Sequence, residues 1–250
     1  MIPAEAPPGT SPPGTLPLFT FRGIRVSLHW SWAFVALWQI ESRRGYYPHV
    51  GWDILQYVCL FAIVLLHEFG HSFATRQVGG TANQILLWPF GGIAYVKTPP
   101  RPKAYLWAII AGPLVNVVLW PVFYALASLY GDPLSFKTFR ALHHGSEFFG
   151  LFLYELFFIN TILIIFNLLP IYPTDGGQIF RGLLWLKLGP LKSMFIAAWT
   201  GLILGAAAIL FVLIAWQSYW TALMVGLMLQ QSWATIQGVN AWRKQNGGRW

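Results

Sequence analysis

The chain has 250 residues, of which 56% are hydrophobic, 17% aromatic and only 10% charged. A soluble domain averages roughly 25% charged residues, so the composition excludes an ordinary water-exposed globule and makes lipid the expected solvent. The net charge of +8 is compatible with a nucleic-acid partner, but the basic residues stand at the ends of apolar runs and form no aromatic-interleaved patch, which argues against one.

Residues 1–20 carry six prolines and no basic group. A secretory signal needs a charged start followed by an apolar run, so this stretch reads as a disordered Pro-rich tail. About 20 apolar residues cross the hydrocarbon of a bilayer, and six runs qualify. The first, Ile24 to Ile40, is the shortest and lies between Arg25 and Glu41. The second runs from Ile54 to Thr75 and holds the lone cysteine, Cys59, so no intrachain disulfide can form. Ala104 to Tyr130 and Phe148 to Leu169 follow, the latter interrupted by Glu155. No charge occurs from Ser193 to Trp242, and Gln217-Ser218-Tyr219 divides that stretch into Met194 to Trp216 and Trp220 to Gln237.

The expected fold is therefore an all-α membrane protein of six transmembrane helices. A membrane domain over 21–239 precedes a basic tail over 240–250. With a cytoplasmic N-terminus, Arg43, Arg44, Lys137 and Arg140 fall outside and the other twelve of the sixteen Lys and Arg residues inside. That is a positive-inside pattern, with both termini cytoplasmic and the cell membrane as the expected location. Between the second and third spans, Gln84 to Trp88 and Gly92 to Val96 alternate around Pro89-Phe90-Gly91. This predicts a short re-entrant or interfacial β-hairpin, whose free edge could pair with an extended peptide.

His67-Glu68-Phe69-Gly70-His71 lies within the second span. Residues four apart share a helix face, so both imidazoles can reach one metal ion while Glu68 stands beside them to take a proton from water. The fourth span ends in Asn167-Leu168-Leu169-Pro170-Ile171-Tyr172-Pro173-Thr174-Asp175-Gly176-Gly177. Two prolines stop the helix, and the glycine pair permits backbone angles closed to other residues. With the N-terminus inside, both segments deliver polar groups to the same leaflet. A catalytic zinc takes three protein ligands and one water, and Asp175, read as an acid in a non-helical turn, is the best third. Facing lipid it would cost about 2.5–3.5 kcal/mol, a cost that a dication removes.

Asn116 in the third span is either a hydrogen-bonding partner of the site or ordinary glue between helices. Gly112 and Pro113 suit close packing or a kink. His29 suits a structural hydrogen bond, and Asn160 and Glu155 suit packing or the lining of a cavity. His143 and His144 fall in an outer loop, and the tryptophans read as interfacial anchors.

Taken together, His67-Glu-Phe-Gly-His71 and Asn167-x-x-Pro-x-x-Pro-x-Asp-Gly-Gly177 resemble the site-2 protease family of intramembrane zinc metalloproteases. Ala111-Gly112-Pro113-Leu114-Val115-Asn116 is similar to the family's Gly-Pro-x-x-Asn element, and Phe90-Gly91-Gly92-Ile93-Ala94 to its glycine pair. The resemblance covers roughly Phe21 to Gln237. It implies six spans, one zinc ion per chain and a transmembrane protein as substrate, cut in or near its membrane segment in regulated intramembrane proteolysis. By the same resemblance His67, His71 and Asp175 are zinc ligands and Glu68 is the general base. Asn167 would steady the tetrahedral intermediate, and Asn116, Gly91 and Gly92 would contact substrate. Thr174 stands where many members have leucine, and the chain has no room for the PDZ or CBS modules that others carry. Two other classes compete. A zinc transporter would need polar groups continuing to the outer face, where only Asp53 and Glu155 occur. A catalytically silent scaffold would be expected to have lost Glu68 or a ligand, and all are present.

Overall fold

A computed structural model describes residues 14–88, 91–217 and 219–247. The elements are, in order, β1 (Thr15–Phe21), β2 (Ile24–His29), α1 (Trp32–Ser42), α2 (Val50–Gln77), β3 (Thr81–Trp88), β4 (Gly91–Lys97), α3 (Pro102–Ser128), α4 (Phe136–His144), α5 (Phe148–Leu168), α6 (Asp175–Leu188), α7 (Pro190–Phe211) and α8 (Tyr219–Gln245). A π-helical turn, Val212–Trp216, continues α7.

The expectation of an all-α protein is corrected by a four-stranded sheet in the order β1-β2-β3-β4. The expected hairpin is there as the antiparallel pair β3–β4, but β3 also pairs in parallel with β2, and β2 antiparallel with β1. The proposed tip residues Pro89 and Phe90 lie outside the described residues. Arg22 and Gly23, with φ of 47° and 74°, form the two-residue turn between β1 and β2, the left-handed geometry that suits the twist of paired strands. The expected Pro-rich tail therefore gives way to sheet at Thr15, and its first thirteen residues lie outside the described ones. At the other end α8 runs on to Gln245, into the expected basic tail.

The first expected span is likewise corrected. Ile24–His29 is strand β2, and the remaining apolar residues form α1, only 11 residues long. At 1.5 Å per residue such a helix measures about 16 Å, roughly half the hydrocarbon thickness. Among the described residues four helices are long and apolar enough to cross a membrane: Val50–Gln77, Pro102–Ser128, Phe148–Leu168 and Pro190–Ala215. Of the divider proposed between the last two runs, Gln217 follows the π-helical turn in the left-handed region at φ 50°, Tyr219 opens α8, and Ser218 lies outside the described residues.

The described residues form two compact units, one within Glu5–Thr98 and Ala111–Ile164, the other within Pro99–Ile110 and Ile165–Trp250. In the first, Ile24, Val26, Ile85 and Leu87 from the sheet pack on Phe69 of α2 in one apolar cluster. Arg76, at the last turn of α2, donates to the carbonyls of Arg22, Gly23 and Ala82, tying the helix end to the β1–β2 turn and to β3. A second cluster joins Ile63 of α2 and Ala127 of α3 to Phe152, Leu153, Leu156 and Phe157 of α5. In the other unit, α7 and α8 pack as a helical pair, and Ser232 Oγ donates to the Tyr172 carbonyl at 2.5 Å. Gly182 of α6 packs against Leu106 at the start of α3, where any Cβ would collide.

Candidate metal centre

His67, Glu68 and His71 stand on α2, each no more than 7% exposed. The helical offset of four puts the two rings together, centroids 4.7 Å apart and planes at 81°. Their Nε2 atoms approach to 3.0 Å. Two nitrogens bound at 2.0–2.1 Å to one tetrahedral cation would stand ~3.3 Å apart, so the spacing suits joint ligation.

The neighbouring amides decide which nitrogen is free to bind. Asn116 Nδ2 donates to Asn160 Oδ1 at 2.9 Å, and Asn160 Nδ2 donates to the Asn116 carbonyl at 2.9 Å. Asn116 Oδ1 is thereby left as the acceptor for His67, 2.6 Å from Nδ1. The His67 proton is assigned to Nδ1, and Nε2 keeps its lone pair toward His71. Asn116 and Asn160 are 1% and 0% exposed, so no bulk water competes for these bonds. Helix α3 makes room for the rings with a glycine: a Cβ at Gly112 would overlap Nε2 of both histidines. Gly70 allows the close crossing, since a Cβ there would lie 2.5 Å from the Ala111 carbonyl.

Glu68 faces the sheet. Its Oε2 accepts from the Ala94 backbone N–H of β4 at 3.0 Å, and a side chain at Gly92 would collide with it. Gly91, at φ 138°, has open space around its Cβ position. Strand β4 is one of the sheet's two edges among the described residues.

Asp175 is buried and opens helix α6, which corrects the expectation of a non-helical turn. Thr174 caps that helix. Its Oγ1 donates to the carbonyls of Leu169 and Ile171 at 2.7 and 2.8 Å and accepts from the Gly177 N–H at 3.5 Å. The glycine pair is needed for space and not for unusual backbone angles. Neither Gly176 nor Gly177 has positive φ, and a Cβ on either would strike the backbone of Leu168 and Leu169 or of Ile171 and Tyr172. Asn167 is half-buried in the last turn of α5.

Among the lesser residues, His29 makes the structural hydrogen bond expected of it, 2.6 Å from Ser31 Oγ. Asn160 is more than packing, because it holds the amide that holds His67. A hint lay in the sequence: Asn116 and Asn160 each interrupt an apolar run. The Ala94 N–H carries no side-chain signal and was not readable. Glu155 is a cavity-lining residue paired with Arg43 at 2.7 Å.

An apolar helix bearing two buried imidazoles and a carboxylate, laid against the edge of a small sheet, defines a membrane protein of the H-E-x-x-H metal-site class. Residues 56–212 match the family model described as Peptidase family M50. A zinc metalloprotease of Methanocaldococcus jannaschii is 34% identical over 203 residues, covering 79% of this chain and 54% of its own. Stage IV sporulation protein FB of Bacillus subtilis is 34% identical over 125 residues, 49% of this chain and 38% of its own. Among solved structures, the site-2 protease from Methanocaldococcus jannaschii aligns with a TM-score of 0.56 and 28% identity, covering 94% of this chain and 96% of that one. The chain spans about half the length of the curated relatives it matches. It belongs to peptidase family M50, and it is an integral membrane protein.

Proposed function

We propose that the chain is a zinc-dependent endopeptidase that hydrolyses a peptide bond in or near the transmembrane segment of a membrane-anchored protein. The observation that carries this reading is the pair of Nε2 atoms 3.0 Å apart with Glu68 on the adjoining helix position. The donor set suits zinc, which accepts two imidazoles and a carboxylate. His67 and His71 supply the nitrogens, and Asp175, fixed at the start of α6, supplies the carboxylate. Bound zinc contributes Lewis acidity, bringing the pKa of water toward ~7 and polarising a carbonyl.

The remaining work belongs to the chain. Glu68 removes the proton of the attacking water and returns it to the leaving amine. Asn116 keeps the His67 ring oriented, and Asn167 donates to the oxygen that gains charge. A helical substrate hides its carbonyls in its own hydrogen bonds, so it must be extended before it can be cut. Pairing along β4, where Gly91 is open and Gly92 places no side chain over Glu68, is the proposed means.

The test is the full chain, purified and reconstituted with a membrane-anchored helical substrate. Wild type is expected to hold about one zinc ion and to cleave. Glu68→Gln should keep the metal and lose about 10²–10⁴-fold in rate, whereas Asp175→Ala should lose the metal. Full activity in Glu68→Gln would defeat the mechanism, and undiminished zinc in Asp175→Ala would remove that residue from the ligand set. Zinc flux into liposomes without cleavage would favour transport.

A further inference from the structure

Within the first unit, at the opposite end of α2 from His67, lies a second built site. A cavity of about 430 Å³ opens between α1, the first half of α2, α4 and α5. That volume lies within the range of small-ligand pockets, ~300–1,000 Å³. Leu60, Phe136, Phe139, Phe158, Ile159 and Ile162 form apolar walls, and its charges are Arg43, Asp53 and Glu155. One guanidinium thus faces two carboxylates.

Arg43 is already committed. Its Nη2 donates to both oxygens of Glu155, at 2.7 and 3.0 Å, and its guanidinium lies 4.2 Å from the centroid of the Tyr46 ring. Glu155 is saturated further by the Tyr47 hydroxyl at 2.7 Å. Asp53, 5% exposed, is ion-paired more loosely: its Oδ1 stands 3.5 Å from Arg43 Nε, and neither atom makes a closer hydrogen bond among the described residues. The buried hydroxyl of Tyr57, one helical turn along the same face, also has no hydrogen-bond partner there. One guanidinium shared between two carboxylates leaves one negative charge uncompensated, with Asp53 the more weakly held, and in a pocket with apolar walls the group that answers it is a cation carried on hydrocarbon.

We infer that this cavity binds an ammonium-bearing amphiphile, with the ammonium on Asp53 beside the Tyr57 hydroxyl and the hydrocarbon along Leu60, Phe158 and Ile162. Aromatic rings at the polar end add attraction for a cation. An anionic head is disfavoured, because the single guanidinium is already paired with both carboxylates of the cavity. An aminophospholipid headgroup and a free alkylamine share this chemistry.

Native mass spectrometry of the full chain in mild detergent tests the inference with three probes: phosphatidylethanolamine, phosphatidylglycerol of the same acyl chains, and dodecylamine. Wild type should retain phosphatidylethanolamine at least tenfold better than phosphatidylglycerol. Asp53→Asn should abolish that preference, and Leu60→Trp, which fills the apolar end without touching charge, should reduce retention of both lipids. Unchanged zinc content would show each variant intact, and should Asp53→Asn fail to fold, Tyr57→Phe and Leu60→Trp carry the test. Retention of dodecylamine alone, lost in Asp53→Asn, upholds the ammonium site and assigns it to free amines. Equal retention of the two lipids by wild type with no dodecylamine binding, or a preference that survives Asp53→Asn, would overturn the inference.

Discussion

Asn116 touches His67 through a 2.6 Å hydrogen bond and is itself held by Asn160, so a pair of buried amides sets the tautomer of an imidazole on a third helix. Partners of this kind are worth about 10–100-fold in metal affinity. Asn116→Ala is expected to lose that much in a zinc competition with a chelator, and Asn160→Ala, which acts through Asn116, to lose less. A different residue reports on the far end of the unit. Burial, followed by the hydrogen bond to Glu155 and its charge, pushes the Tyr47 hydroxyl well above the usual tyrosine range. Its folded-state pKa is raised, so the stability it contributes is complete below about pH 10 and is lost as pH climbs beyond. Tyr47→Phe should cost about 1–2 kcal/mol at neutral pH and flatten part of the alkaline decline in thermal unfolding curves, Tyr46 being shifted in the same direction. At this scale the sequence was informative wherever the signal was a side chain at helical spacing, as at His67 and His71. It was silent on Gly70, whose part is to be absent from a crossing with Ala111.

Helix α2 carries the catalytic candidates because its last three turns lie on a sheet and beside α3, while its first turns line the cavity around Asp53. Gly112 on α3 is where that packing meets the metal chemistry. Gly112→Ala would press a methyl group on both Nε2 atoms, and the expected result is a folded protein with at least tenfold weaker zinc binding, read by unfolding temperature and metal content together. Undiminished zinc would show that the rings lie elsewhere. Two elements were misjudged from sequence, each for a physical reason. Ile24–His29 continues without a break into the apolar residues of α1, and a short apolar run does not distinguish a buried strand from a piece of a span. The start of α6 was hidden because glycines follow Thr174 where a helix-favouring first turn would be expected, yet a threonine cap and contact room were sufficient. The hairpin was legible because its alternation is interrupted by a turn sequence, whereas its partners β1 and β2 lie more than fifty residues upstream.

For the molecule as a whole, four long apolar helices among the described residues account for its membrane character, and the chain matches relatives about twice its length over part of theirs. Helix α2 alone, 28 residues and therefore about 42 Å, is long enough to set its two ends on opposite faces. In a Cys59→Ser background, His49→Cys and Lys97→Cys should accordingly react with a membrane-impermeant maleimide from opposite sides of oriented vesicles. Labelling of both from one side would remove α2 from the spanning set. The Ala94 amide proton on which Glu68 rests has a further consequence, for inheritance more than for chemistry. Nineteen of the twenty amino acids carry that donor, so the acid's mooring sets no demand on the side chain beyond excluding proline, and what limits replacement there is the packing of Ala94 against the apolar cluster of the sheet.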